Sequence, residues 1–192
     1  MSVSKYFALA GGNSRQIKAS GACPAQTPIT VMDGDFFKGC IYSEASWLTG
    51  QCKCEGLVKH DSDELMVFIG GNPEDPENLN AEITFQIEND TLTITKTCFV
   101  FVPCGAAHGN LSISGLSAPV YYYSCHLNTD MYSEVSAVPT APEGTYAGNI
   151  VEKYAPVDGK MPSAPEGFLV ELQFLTSRIS VDHGTEATIS NG

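Results

Sequence analysis

Between residues 64 and 127, short runs that are either continuously apolar or apolar at every second position are each separated from the next by Gly, Pro, Asn or Asp. A period of two is that of a strand with one buried face, whereas a helix would repeat at three and four. Residues 64–69 form a compact apolar run closed by Gly70 and Gly71. Residues 82–88 alternate polar and apolar, Asn89-Asp90 reads as a turn, and 91–95 resume the alternation. Residues 98–102 are apolar until Pro103 and Gly105, and 111–113 and 120–127 follow, divided by Gly115 and Pro119. Short strands at this spacing predict an all-β sandwich or barrel with little helix.

Two stretches interrupt the pattern. Residues 71–80 hold two prolines and read as a polar loop, too poor in apolar residues for a core strand. Residues 134–168 are rich in Pro and Gly: five of the eleven prolines lie between Val138 and Phe168, and Ala-Pro-Glu-Gly stands at both 141–144 and 164–167. Two copies do not make a repeat architecture. The stretch predicts an extended segment feeding late strands near 145–153 and 168–177, and the alternative is a linker toward a second barrel. One domain is expected over residues 1–192, a length that buries one sizeable core.

The formal charge of −12 excludes whole classes of partner. Phosphate backbones and anionic lipid surfaces recruit Lys and Arg, so neither nucleic acid nor a membrane is an expected partner. Excess negative charge of this size keeps a protein soluble. The longest apolar run is far short of the roughly 18 residues of a membrane-spanning helix, and the N-terminus lacks the basic start and apolar stretch of a secretory signal. Seven scattered cysteines are an odd number, unlike a disulfide scaffold, and read as reduced thiols of a cytoplasmic protein. Cys52 and Cys54 have no second cysteine pair with which to build a structural zinc site.

The residues that carry chemistry lie between 58 and 126. His60 precedes Glu64 by four positions and Gly71 follows seven further on, while Pro103, Gly105 and His108 form a second cluster. In this order, with alternating strands between them, the two clusters resemble the two motifs of the cupin superfamily over roughly residues 40–127. There are departures. Val58 stands where the first motif usually has another histidine, or Ser62 in the alternative register, and Thr97 and Ser112 replace a usual Gly and Asn. The resemblance implies a double-sheet jelly-roll barrel in which His60, Glu64 and His108 hold one divalent transition metal: Fe, Mn, Ni or Zn. Two imidazoles and a carboxylate suit such ions and leave coordination positions open.

On a straight strand, residues four apart are separated by about 13 Å. His60 and Glu64 can therefore share an ion only if the chain bends at Asp61-Ser62-Asp63. By alternation His126 shares a strand face with Tyr122 and Ser124, and that face points either to the pocket or to solvent. Val58, Ser62, Tyr122, Ser124 and His126 are thus the candidate pocket residues. Two functions of different kinds are consistent with these residues. One is a metal-dependent enzyme acting on a small organic molecule. The other is a non-catalytic barrel that binds a small ligand or has a purely structural role. Open strand edges also predict a homodimer.

Overall fold

The structure is a computed structural model that describes residues 25–151, and Ala25 to Ile150 lie in one compact unit. Every regular element among the described residues is a strand: β1 (Gln26–Met32), β2 (Tyr42–Leu48), β3 (Cys52–Lys53), β4 (Leu57–Lys59), β5 (Glu64–Gly70), β6 (Asn78–Ile87), β7 (Asp90–Lys96), β8 (Cys98–Val102), β9 (His108–Ser114), β10 (Val120–His126), β11 (Val135–Ser136) and β12 (Ile150–Val151). They form two sheets, one ordered β1-β2-β10-β5-β8-β12 and the other β11-β4-β9-β6-β7, with β3 beside β9. The fold is all-β and double-sheeted, as the alternation predicts.

The inward faces of the two sheets meet in one core. Met66, Phe68, Val100 and Val120 from the first sheet are buried with Ile83, Phe85, Ile87, Ile94 and Ile113 from the second. Each such side chain contributes about 1.5–3 kcal/mol when withdrawn from water. The register of the first sheet sets a gradient along this interior. Leu48, Val120 and Gly70 stand abreast at one end, then Ser46, Tyr122 and Phe68, then Glu44, Ser124 and Met66, and finally Tyr42, His126 and Glu64. One end of the sandwich is therefore apolar and the other polar. An interior that turns polar along its length leaves a pocket at that end instead of filling it.

Several sequence expectations are corrected. The strand β6 starts at Asn78, inside the stretch read as loop, and Leu79 is fully buried. The turn between β6 and β7 is Glu88-Asn89, one residue earlier than expected, with Glu88 at φ 53°. The strand expected at 145–153 shrinks among the described residues to β12. The cause is Asp90, whose carboxylate accepts hydrogen bonds from the amides of Gly144 and Tyr146 and holds that backbone in turns. The strand expected at 168–177 lies outside the described residues. Cys52 is disulfide-bonded, whereas Cys40, Cys54, Cys98, Cys104 and Cys125 are in no disulfide. An odd total does not prevent one pair from forming, so the reading of seven reduced thiols fails at Cys52.

Candidate functional site

Two loops deliver the histidines. After β4 in one sheet the chain crosses to β5 in the other, bending at Asp61 and Ser62 as the shared site requires. The second loop follows β8, where the Ala106 amide donates to the Pro103 carbonyl at 3.1 Å and Gly105 has φ 80°. That is a turn whose third position demands a left-handed conformation, the reason glycine stands there. The loops are tied together: the Gly105 amide donates to the His60 carbonyl at 2.9 Å, and the Cys104 amide to Asp63 Oδ1 at 2.8 Å.

Just past His108, Gly109 (φ 143°) and Asn110 (φ 46°) interrupt the regular pairing of β9 with β6. A Cβ on Gly109 would stand 2.3 Å from the Gly56 carbonyl oxygen, so only glycine lets β4 approach this closely. Asn110 fastens the crossing, its side chain accepting from the Gly56 amide at 2.8 Å while its own amide donates to the Gly56 carbonyl at 3.0 Å. Opposite, buried Glu88 accepts the Ala107 amide at 2.8 Å and the Ala141 amide at 3.0 Å. Burial pushes the Glu88 carboxyl up, but these backbone donors outweigh it and hold it below the ordinary value.

At the centre lies Glu64, buried with three histidines around it. Its Oε2 is 3.1 Å from His108 Nε2 and 3.5 Å from His60 Nε2, and its Oε1 is 3.7 Å from His126 Nε2. Ligand atoms of His60, Glu64 and His108 all fall within 4.8 Å of one another. The outer nitrogens define the tautomers. His60 Nδ1 is 2.6 Å from the Ser133 carbonyl and His108 Nδ1 is 2.9 Å from the Ala106 carbonyl. Carbonyls only accept, so both Nδ1 atoms carry hydrogens and each neutral ring turns the lone pair of Nε2 toward Oε2. Oε2 is then a buried oxygen with no hydrogen-bond donor. What fits among these lone pairs is a positive charge, either a proton on His108 or a metal ion. The residues present thus fit a divalent transition metal.

The titration shifts follow from the same arrangement. Burial opposes ionisation of Glu64, but the neighbouring His108, His126 and His60 overcome it and bring its carboxyl down to about 2. Burial likewise opposes charge on His108, yet the Glu64 carboxylate raises it above the ordinary imidazole value. His126 is lowered to about 4, chiefly by burial, with Glu64 opposing and His60 and His108 adding to the effect. Ser124 donates to Glu64 Oε1 at 2.5 Å, fixing the carboxylate plane, and Ser62 lies 3.2 Å from His126 Nδ1.

The pocket beside this centre has a volume of about 170 Å³, room for a small organic molecule and not for a polymer. Val58, Tyr122, Ser124 and His126 line it together with His60, Glu64 and His108. His126 is 1% exposed, so the β10 face that alternation left open is the pocket face. Ser62 does not line the cavity and acts through His126. Among the lining groups that sequence reasoning missed, Tyr132 and Glu44 bear on the chemistry. Tyr132, in the loop after β10, stands with its ring 5.3 Å from those of His60 and His126; nothing in that loop's composition marks it. Glu44, on β2, lines the pocket next to Tyr42, whose hydroxyl donates to it at 3.1 Å. The available signal is the alternation of Tyr42, Glu44 and Ser46, a polar set at every second position.

An all-β double sheet that carries two such motif segments at one end of its interior has the architecture of the cupin class. Among solved structures the chain is similar to oxalate oxidase in complex with glycolate, at 10% identity and TM-score 0.45 over 68% of this chain and 63% of that one. It is also similar to a DMSP lyase, at 13% identity and TM-score 0.36 over 52% and 45% of the two chains. A third is the oxalate decarboxylase of Lactobacillus farciminis, at 16% identity and TM-score 0.41 over 59% and 31%. This chain thus spans less than two thirds of each of them. No protein-family model and no curated protein sequence matches it.

Proposed function

We propose that the protein is a metal-dependent cupin enzyme acting on a small organic molecule. The observation that carries the reading is the convergence of His60 Nε2, His108 Nε2 and Glu64 Oε2 on a buried point where no hydrogen-bond donor stands. These three side chains would hold a divalent transition metal, Fe, Mn, Ni or Zn. Bound there, the ion supplies Lewis acidity to an oxygen of the substrate. The chain's own groups do the rest. The carbonyls of Ser133 and Ala106 orient the two imidazoles, and Ser124 holds the carboxylate. Leu48, Met66 and Phe85 exclude water from the inner wall, and Tyr132 covers the histidines on the loop side. His126 adds a third nitrogen on the Oε1 side of Glu64.

The test is elemental analysis of the purified protein beside His108→Ala. Near-stoichiometric transition metal in the first and none in the second supports the reading. Absence of metal in the wild type, after growth and dialysis with each of the four ions, overturns it in favour of a non-catalytic ligand-binding barrel.

The protein is further proposed to be cytoplasmic and to assemble as a homodimer, without nucleic-acid or membrane partners. The net charge of −12 and the five cysteines in no disulfide support the compartment, and the Cys52 disulfide argues against it. No helix among the described residues is long and apolar enough to cross a membrane. The edge strand β1 supports pairing between subunits. Light scattering at micromolar concentration checks the dimer, and a monomer mass refutes it.

A further inference from the structure

The charge of the pocket bears on what enters it. The described residues lining the cavity include Glu44, Glu55 and Glu64 but no Lys and no Arg. Glu55 sits at the mouth, well exposed and 2.8 Å from the Lys53 ammonium, so its charge is already answered. Glu64 faces the three histidines. Glu44 remains. It stands on β2 across from Ser124 of β10, whose other neighbour is Met66 of β5, so it faces the same cavity as Glu64 from two strands away. Its partners among the described residues are neutral donors, the Tyr42 hydroxyl and the Gln26 side chain.

A divalent ion held by Glu64 and neutral imidazoles leaves one net positive charge. Glu44 and any anionic ligand would then share a low-dielectric space with no Lys or Arg among its described lining residues, whereas a cationic ligand would pair with Glu44 directly. The walls agree with this. Phe85, Tyr122 and Tyr132 line the cavity, and aromatic rings attract cations. Sites that take small carboxylates present Arg or Lys to them, and none lines this cavity among the described residues.

Resting on the metal reading above, we propose that the pocket takes a small organic cation, an aliphatic amine or ammonium compound that also carries an oxygen donor. Glu44 receives the ammonium group, and the oxygen donor lies toward His60, Glu64 and His108. Glu44 is thus the residue that sets specificity, selecting charge, while the histidine end selects the donor atom.

Three ligands of nearly equal size separate the possibilities: ethanolamine, ethylene glycol and glycolate, which share a hydroxyl and differ in carrying a positive, no or a negative charge. Their affinities are measured by calorimetry at pH 8, for manganese-loaded and for chelator-treated protein. The expected result is ethanolamine at least tenfold tighter than glycolate, with ethylene glycol between. Glu44→Gln should weaken ethanolamine about tenfold and leave ethylene glycol unchanged. Glu44→Asp, which keeps the charge, should retain the preference and serves if the glutamine variant does not fold. Equal or tighter binding of glycolate, an unaltered preference in Glu44→Gln, or binding of none of the three up to tens of millimolar overturns the proposal. Failure of the metal reading is separately visible. In that case manganese does not load, and the charge preference is read in the chelator-treated protein alone.

Discussion

Replacing Glu44 by glutamine makes the protein's stability respond to pH in a way that can be worked out in advance. Burial is the main force on this carboxyl, and it raises its value from 4.5 to about 7 despite hydrogen bonds from Tyr42 and Gln26 that pull the other way. The group is a carboxylic acid whose folded value lies above its unfolded one. The folded protein therefore binds the extra proton between those two values, and stability falls as pH rises from about 4.5 to about 7, then levels off. The interval, at about 1.4 kcal/mol per pH unit, is worth at most about 3 kcal/mol, and solvent at the pocket mouth reduces it. The amide of the Glu44→Gln variant cannot ionise, and its carbonyl can still accept from the Tyr42 hydroxyl. Urea unfolding of metal-free wild type and Glu44→Gln at pH 4.5, 6 and 8 should show the variant gaining about 1–3 kcal/mol relative to wild type across the series. A difference that stays flat from pH 4.5 to 8 would refute the reasoning, because the carboxylate would then ionise in the fold at no cost.

Other substitutions have equally definite outcomes. Gly109→Ala should destabilise by about 3 kcal/mol or more in thermal unfolding, since φ 143° and a 2.3 Å overlap with the Gly56 carbonyl oppose it together. Gly105→Ala, at φ 80° but with open space around its Cβ, should cost only about 1–2 kcal/mol. Ser124→Ala removes the hydroxyl that fixes Glu64 and should weaken manganese binding about tenfold in a competition titration with little change in unfolding temperature. His126→Ala should lower manganese affinity while leaving measurable metal content, whereas His108→Ala should leave none.

What could be read from the sequence, and what could not, divides along a physical line. Strands β5 to β10 announce themselves in two ways: β6 and β7 keep the period of two, and β5 and β8, buried on both faces, read as compact apolar runs between Gly and Pro. The centre of the site was legible from spacing: a bend at Asp61-Ser62-Asp63 had to exist if His60 and Glu64 were to meet, and it does. β1 and β2 went unread. Tyr42, Glu44 and Ser46 point inward along β2, and polar side chains on a buried face erase the contrast that marks a strand. The residues that make the pocket useful are those that hide its strand. Asp90 likewise overrode a local preference near residue 145 through hydrogen bonds from more than fifty positions away, which no local pattern records.

The two hydrogen bonds from backbone amides that join the loop after β8 to the loop before β5 reach beyond the histidines they steady. They tie His60 and the start of β5, which carries Glu64, to the loop that leads into His108 at the start of β9, so the group bridges the two sheets, while Glu44 belongs to β2 and Tyr132 to the loop after β10. On the proposals made above, chemistry and choice of ligand reside in different pieces of the chain. On that reading, substitutions at Glu44 would re-target the pocket without touching the three central side chains, and a lineage built on this scaffold would change what it binds before it changes what it does.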